Sequence, residues 1–244
     1  MYEYKQFYKR KPPHIHSPGA TLFVTFRLHG SIPKSVLRMW EMEKADLFRT
    51  LSDLSNAEAE EIRGKEITDP NLAERIVTFN RQWFARYEEV LHQATTGPTW
   101  LKNETIAQVV ADALHHLDER AYRLHAYSIM SNHAHVAFTP LLNERTVLPN
   151  PDSIRTEFVS SDPTLAAIMK SLKGFTAREA NKLLGRKGTF WQAESYDREI
   201  RDSREFWRVI KYILNNPVKA GLVRDWREYP FSWLAPELAE PLER

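Results

Sequence analysis

Ala121-Tyr122-Arg123-Leu124-His125-Ala126-Tyr127-Ser128-Ile129-Met130-Ser131-Asn132-His133-Ala134-His135-Val136-Ala137-Phe138 reads as two strands joined by a turn. β-branched and aromatic residues fill both halves, and Ser131-Asn132 is a turn signal between them. Side chains alternate across a strand, so Ala134, Val136 and Phe138 share one face while His133, His135 and Ala137 share the other. Two imidazoles presented side by side from a rigid strand can chelate one divalent ion. They can equally stand half-buried with backbone partners.

Working outward, Ala20 to Leu28 is a second β-rich run, preceded by Pro18-Gly19 and ended by Gly30 and Pro33. From Ser35 to about His92 the sequence turns to long, charged, helix-favouring segments: Val36 to Leu54, and Leu72 to Leu91 with Ile76, Phe79, Trp83 and Tyr87 as its apolar residues. Thr95 to Pro98 is a loop, and Asn103 caps a helix through Ile106, Val109, Val110, Ala113 and Leu117. Leu141 to Asp162 is a polar, proline-punctuated connection. Pro163 to Leu184 forms a helix whose Lys170, Lys173, Arg178 and Lys182 make a basic side, either solvated or tracking phosphates. Thr189 to Asp197 leads into Arg198 to Arg201 as an extended segment.

The last helix starts at Ser203 as N-cap, with Phe206, Trp207, Ile210, Ile213 and Leu214 as its apolar stripe. Glu205, Arg208, Tyr212 and Asn216 cluster on the opposite, solvated side. Tyr212 and Asn216 are four apart and lie one above the other. By itself this is a surface tyrosine with Asn216-Pro217 as an ordinary helix stop.

The chain has 244 residues, 42% hydrophobic and 27% charged, as in globular proteins. No window approaches about 18 uninterrupted apolar residues, and the N-terminus lacks an apolar signal core, so a cytoplasmic protein with no membrane partner is expected. The absence of cysteine excludes disulfides, thiolate zinc sites and cysteine nucleophiles. The net charge of +2 hides an asymmetry: residues 1–38 carry seven bases against one acid, 41–89 carry 12 acids against seven bases, and 164–228 carry 14 bases against eight acids. Two basic segments flanking an acidic one suit a polyanion site built from the chain ends. Tyr4-Lys5-Gln6-Phe7-Tyr8-Lys9-Arg10-Lys11 interleaves aromatics with cations, the mixture that stacks bases and neutralises phosphates.

Several of these elements together carry a family resemblance. Ser131-Asn132-His133-Ala134-His135 resembles the P-N-H-V-H element of the HUH single-tyrosine transposases. Lys173-Gly174-Phe175-Thr176-Ala177-Arg178, Trp191-Gln192, Tyr196-Asp197-Arg198 with Ile200-Arg201, and Tyr212 through Asn216-Pro217-Val218-Lys219-Ala220-Gly221-Leu222-Val223 follow in the order of the REP-associated tyrosine transposases. Serine stands at 131 where the family has proline, and alanine at 134 where it has valine.

The resemblance implies an α+β fold: a ferredoxin-like antiparallel sheet flanked by helices, with a helical insertion after the first strand. Residues 1–35 and 95–235 would form the nuclease domain, 36–94 an acidic helical insertion and 236–244 a tail. It implies Tyr212 as nucleophile, His133, His135 and Asn216 as ligands of Mg²⁺ or Mn²⁺, and a 5′-phosphotyrosine intermediate. The implied partner is single-stranded DNA bearing a hairpin of REP-like repeats, which would place the protein at the nucleoid when bound. The expected DNA contacts are Tyr4, Lys5, Lys9, Arg10, Lys11, Lys170, Lys173, Arg178, Lys182, Trp191, Arg198, Arg201 and Lys211, with Trp191 equally suited to a core. The competing reading is a domesticated hairpin-binding protein with weak or no cleavage. A metal hydrolase using His133 and His135 on a small phosphoester is a third.

Overall fold

The computed structural model describes residues 17, 19–52, 70–141, 146–149, 157–160 and 164–243. The expected DNA contacts Tyr4, Lys5, Lys9, Arg10 and Lys11 lie outside the described residues. The chain divides into two compact units, with boundaries at 31/32 and 97/98.

In the first unit, helices α1 (Lys34–Ser52) and α2 (Pro70–Gln93) follow the two helix-favouring runs. Ile32, Trp40, Tyr87 and Leu91 are buried together. The Trp83 and Tyr87 rings stack at 5.1 Å on successive turns of α2, the aromatic pairing expected at i, i+4.

The second unit carries β1 (Leu22–Arg27), α3 (Glu104–Leu117), β2 (Tyr122–Ile129), β3 (His133–Pro140), β4 (Thr146–Pro149), β5 (Glu157–Ser160), α4 (Leu165–Leu183), β6 (Tyr196–Glu199), α5 (Ser203–Lys219), β7 (Ser232–Leu234) and α6 (Ala239–Glu243). Its main sheet has the order β6-β1-β3-β2-β7, every neighbour antiparallel. Setting β7 aside, strands β1, β2, β3 and β6 with crossover helices α3 and α4 give the β-α-β-β-α-β ferredoxin-like arrangement. β4 and β5 pair as a separate hairpin within the stretch expected to be an irregular connection.

Alternation along the strands places the core. Leu22, Val24 and Phe26 of β1 and Ala134, Val136 and Phe138 of β3 belong to one buried cluster with Ile106, Val110 and Leu114 of α3 and Ile168 and Leu172 of α4. Asn103 caps α3 by accepting from the Thr105 and Ile106 amides, as read from sequence. A bulge between Leu124 and Ala126 lets β2 keep Tyr127 and Ile129 on this same face. The opposite face carries Phe23, Thr25, Arg27, His133 and His135, and α5 runs against β2, β3 and β7.

Two expectations change here. Asp202, not Ser203, caps α5, its carboxylate accepting from the Glu205 amide at 2.7 Å. The helix does not stop at Asn216: it runs through Pro217 to Lys219, with Asn216 and Pro217 buried. Proline there removes a donor to the Ile213 carbonyl. The Asn216 side-chain amide donates instead, to Tyr212 O at 2.8 Å and Ile213 O at 3.5 Å.

Trp191 is core rather than a stacking platform. It is 4% exposed, its ring meets Phe26 at 4.8 Å, and Nε1 donates to Thr176 Oγ1 at 2.8 Å. Truncating a buried tryptophan typically costs about 3–5 kcal/mol. Trp191→Ala should therefore lower the urea-unfolding free energy by about that amount.

Candidate active site

The histidines sit where the alternation of β3 puts them, fully buried on the face opposite the main cluster. Their rings converge, with His133 Nε2 and His135 Nε2 3.0 Å apart. Each remote nitrogen has its own buried partner. His133 Nδ1 is 2.7 Å from Asn132 Oδ1, and His135 Nδ1 is 2.8 Å from Thr25 Oγ1. Thr25 is brought there by the β1–β3 register, which sets it opposite His135.

An amide oxygen only accepts, so His133 carries its proton on Nδ1 and turns a lone pair on Nε2 toward its neighbour. Without a cation the chain closes as Thr25 O–H to His135 Nδ1, then His135 Nε2–H to His133 Nε2. Thr25 can also accept, which allows His135 the Nδ1–H tautomer and a second inward lone pair. The two Nε2 atoms then form a chelating pair: donors at right angles around an ion about 2.1 Å away lie about 3.0 Å apart. Partners on the remote nitrogens are the usual support of ligating imidazoles. The donor set fits one divalent cation.

Tyr212 lies against His135. Its ring is 5.5 Å from the His135 ring and 5.8 Å from Phe23, edge-on to both, and Phe23 stacks on His135 at 5.8 Å. Lys219 Nζ stands 5.1 Å from the Tyr212 centroid. The expectation that Tyr212 and Asn216 occupy the solvated side of α5 is corrected: Tyr212 is half-buried and Asn216 fully buried. The physical reason is Val209, which is 1% exposed. At about 100° per residue, adding Val209 widens the apolar arc until Asn216 borders it and Tyr212 comes next, leaving Arg208, Lys211 and Asn215 outward. Asn216 ties Nδ2 to its own helix, so Oδ1 is the side-chain atom with ligand chemistry.

The expected DNA contacts separate into groups. Lys170, Lys182, Arg201 and Lys211 are exposed. Arg178 is half-buried beside Glu179 at 3.6 Å and over the Phe175 ring. Arg198 pairs with Glu205 and lies over Phe23, 5.6 Å from its centroid, which fastens β6 to the first turn of α5. Lys173 is turned inward: Nζ donates to the Gln192 and Ala193 carbonyls at 3.0 and 3.1 Å. Burial, with Arg27 adding to it and Glu194 and Asp197 opposing, brings its pKa down to about 8. That ammonium braces a loop rather than tracking phosphate.

Sequence reasoning passed over Thr25 and Phe23, and took Asn132 only as a turn residue. A threonine and an arginine alternating with phenylalanine in an otherwise apolar strand was the available signal.

No protein-family model matches the chain, and no curated protein matches it. Among solved structures, a REP-associated tyrosine transposase bound to a REP hairpin is similar over 99% of this chain and 88% of that chain, at 16% identity with a TM-score of 0.48.

Thr25→Val keeps the shape and removes the atom that supports the chelating tautomer of His135. Loss of such a partner typically costs 10–100-fold in metal affinity. Calorimetric titration with Mn²⁺ should show a weakening of that order, and complete loss of the site in His135→Ala.

Proposed function

We propose that this chain is a metal-dependent enzyme that nicks and rejoins single-stranded DNA, with Tyr212 as nucleophile and hairpin-forming repeat DNA as substrate. The observation that carries the reading is the Tyr212 ring 5.5 Å from His135, whose Nε2 is 3.0 Å from that of His133. A phenol, a chelating imidazole pair and a lysine in one place suit phosphoryl transfer to tyrosine better than small-ester hydrolysis, which needs no tyrosine. The resemblance of the ordered motifs agrees with it.

A phosphodiester repels nucleophiles through its charged oxygens. A divalent ion held by His133 and His135, with Asn216 Oδ1 as third ligand, would supply Lewis-acid offset of that charge. The remaining work belongs to side chains. Tyr212 Oη forms a bond to phosphorus as the P–O3′ bond breaks, giving a 5′-phosphotyrosine and a 3′-hydroxyl. The phenolic proton is lost and the departing O3′ gains one. Phenols ionise near pH 10, and Lys219 sets a cation beside the phenol whose proton must leave. Phe23 and His135, stacked on each other, both pack against the ring, so the phenol is held before substrate arrives. Because the phosphotyrosine is itself a phosphodiester, another 3′-hydroxyl can reverse the step and join strands without a nucleotide cofactor. Exposed Lys170, Lys182, Arg201 and Lys211 would contact the DNA backbone.

Labelled single-stranded hairpin oligonucleotides incubated with the protein and Mn²⁺ should yield a covalent protein–DNA band on denaturing electrophoresis. Tyr212→Phe should abolish the band while hairpin affinity stays within about threefold, since one hydroxyl is removed and no charge. A hairpin-binding protein without cleavage would bind equally and give no band in either form.

A further inference from the structure

Arg27 is the one charged residue on the histidine-bearing face of β1. The register sets it directly opposite His133, as Thr25 is opposite His135. Neighbours so paired have Cβ atoms about 5 Å apart. The side chain is only 5% exposed. Its hydrogen bonds come from Nη1 alone and are long: Ser31 Oγ at 3.3 Å and Leu28 O at 3.5 Å. Among the described residues no carboxylate pairs with it, and Nε and Nη2 make no hydrogen bond.

These donors are not sealed from solvent, so an arriving anion can engage them. The planar fork of the guanidinium matches two oxygens of a phosphate, a geometry that lysine lacks. Lys173, whose pKa Arg27 helps to lower, spends its donors on two carbonyls.

Building on the proposed function, we propose that Arg27 binds a DNA phosphate at the Tyr212 site, its Nη1 fixed by Ser31 and Leu28 and its remaining N–H donors directed to the non-bridging oxygens. Arg27 is thus a substrate-binding residue supplied by the strand next to the histidines.

The test uses the full chain carrying Tyr212→Phe and a hairpin oligonucleotide with a single-stranded flank. Each flank phosphate in turn is replaced by an uncharged methylphosphonate, and affinity is measured by fluorescence anisotropy. One replacement should weaken binding about tenfold, and in Arg27→Gln that same replacement should cost less than twofold. Arg27→Lys should fall between them, and serves as the readout if the glutamine variant does not fold. If Arg27→Gln retains the native sensitivity at every linkage, or the native chain shows none, the proposal is overturned. In the cleavage-competent protein, Arg27→Gln should slow formation of the covalent band about 100-fold, the usual effect of removing one donor from a developing oxyanion. Absence of any band from the native chain with the methylphosphonate coupling intact would reject the nuclease reading and leave Arg27 as a phosphate contact.

Discussion

The site depends on two hydrogen bonds that face away from it. Asn132 Oδ1 and Thr25 Oγ1 engage the remote nitrogens of His133 and His135, and both are buried. They help to set the tautomers and orientations that bring the two Nε2 atoms to 3.0 Å. The two supports differ in a useful way. An amide oxygen can only accept, which commits His133; a hydroxyl can donate or accept, which lets His135 hold a proton between the rings or give its lone pair to an ion. The sheet delivers all four groups, because β1 and β3 pair in a register that puts Thr25 beside His135 and Arg27 beside His133.

The second constraint is on α5. A proline inside a helix ordinarily leaves a carbonyl unserved. Here the preceding asparagine turns its amide back along the helix, so the last turn survives. The helix then continues far enough to bring Lys219 over Tyr212. The same residue proposed as a ligand through its oxygen thus stabilises the helix through its nitrogen, so a single substitution at 216 would disturb both.

Much of this was legible in sequence. Alternation in His133 to Phe138 gave the face of the histidines, because burial of Ala134, Val136 and Phe138 admits only one register. The ferredoxin-like order came through the resemblance, and the strand pairing agrees with it. The exposure of Tyr212 was misread because the apolar stripe of α5 was drawn without Val209, and one valine moves the edge of that stripe by a full side chain. For Trp191, an indole serves a core and a base stack equally well in sequence; its burial and its Phe26 and Thr176 partners separate them. Locally, Thr25 and Arg27 show only as polar residues alternating with phenylalanine in an apolar strand; their roles arise from a partner strand more than a hundred residues away. The hairpin of β4 and β5 was obscured by prolines that read as breakers.

In the proposed mechanism His133 and His135 act as a pair on one divalent ion beside Tyr212. Pulsed electron paramagnetic resonance on Mn²⁺-loaded protein tests it most directly. Coupling to two directly coordinated imidazole nitrogens, reduced to one in either single alanine variant, is the predicted result. A spectrum indistinguishable from hydrated Mn²⁺, or one unchanged by removing either histidine, would contradict it.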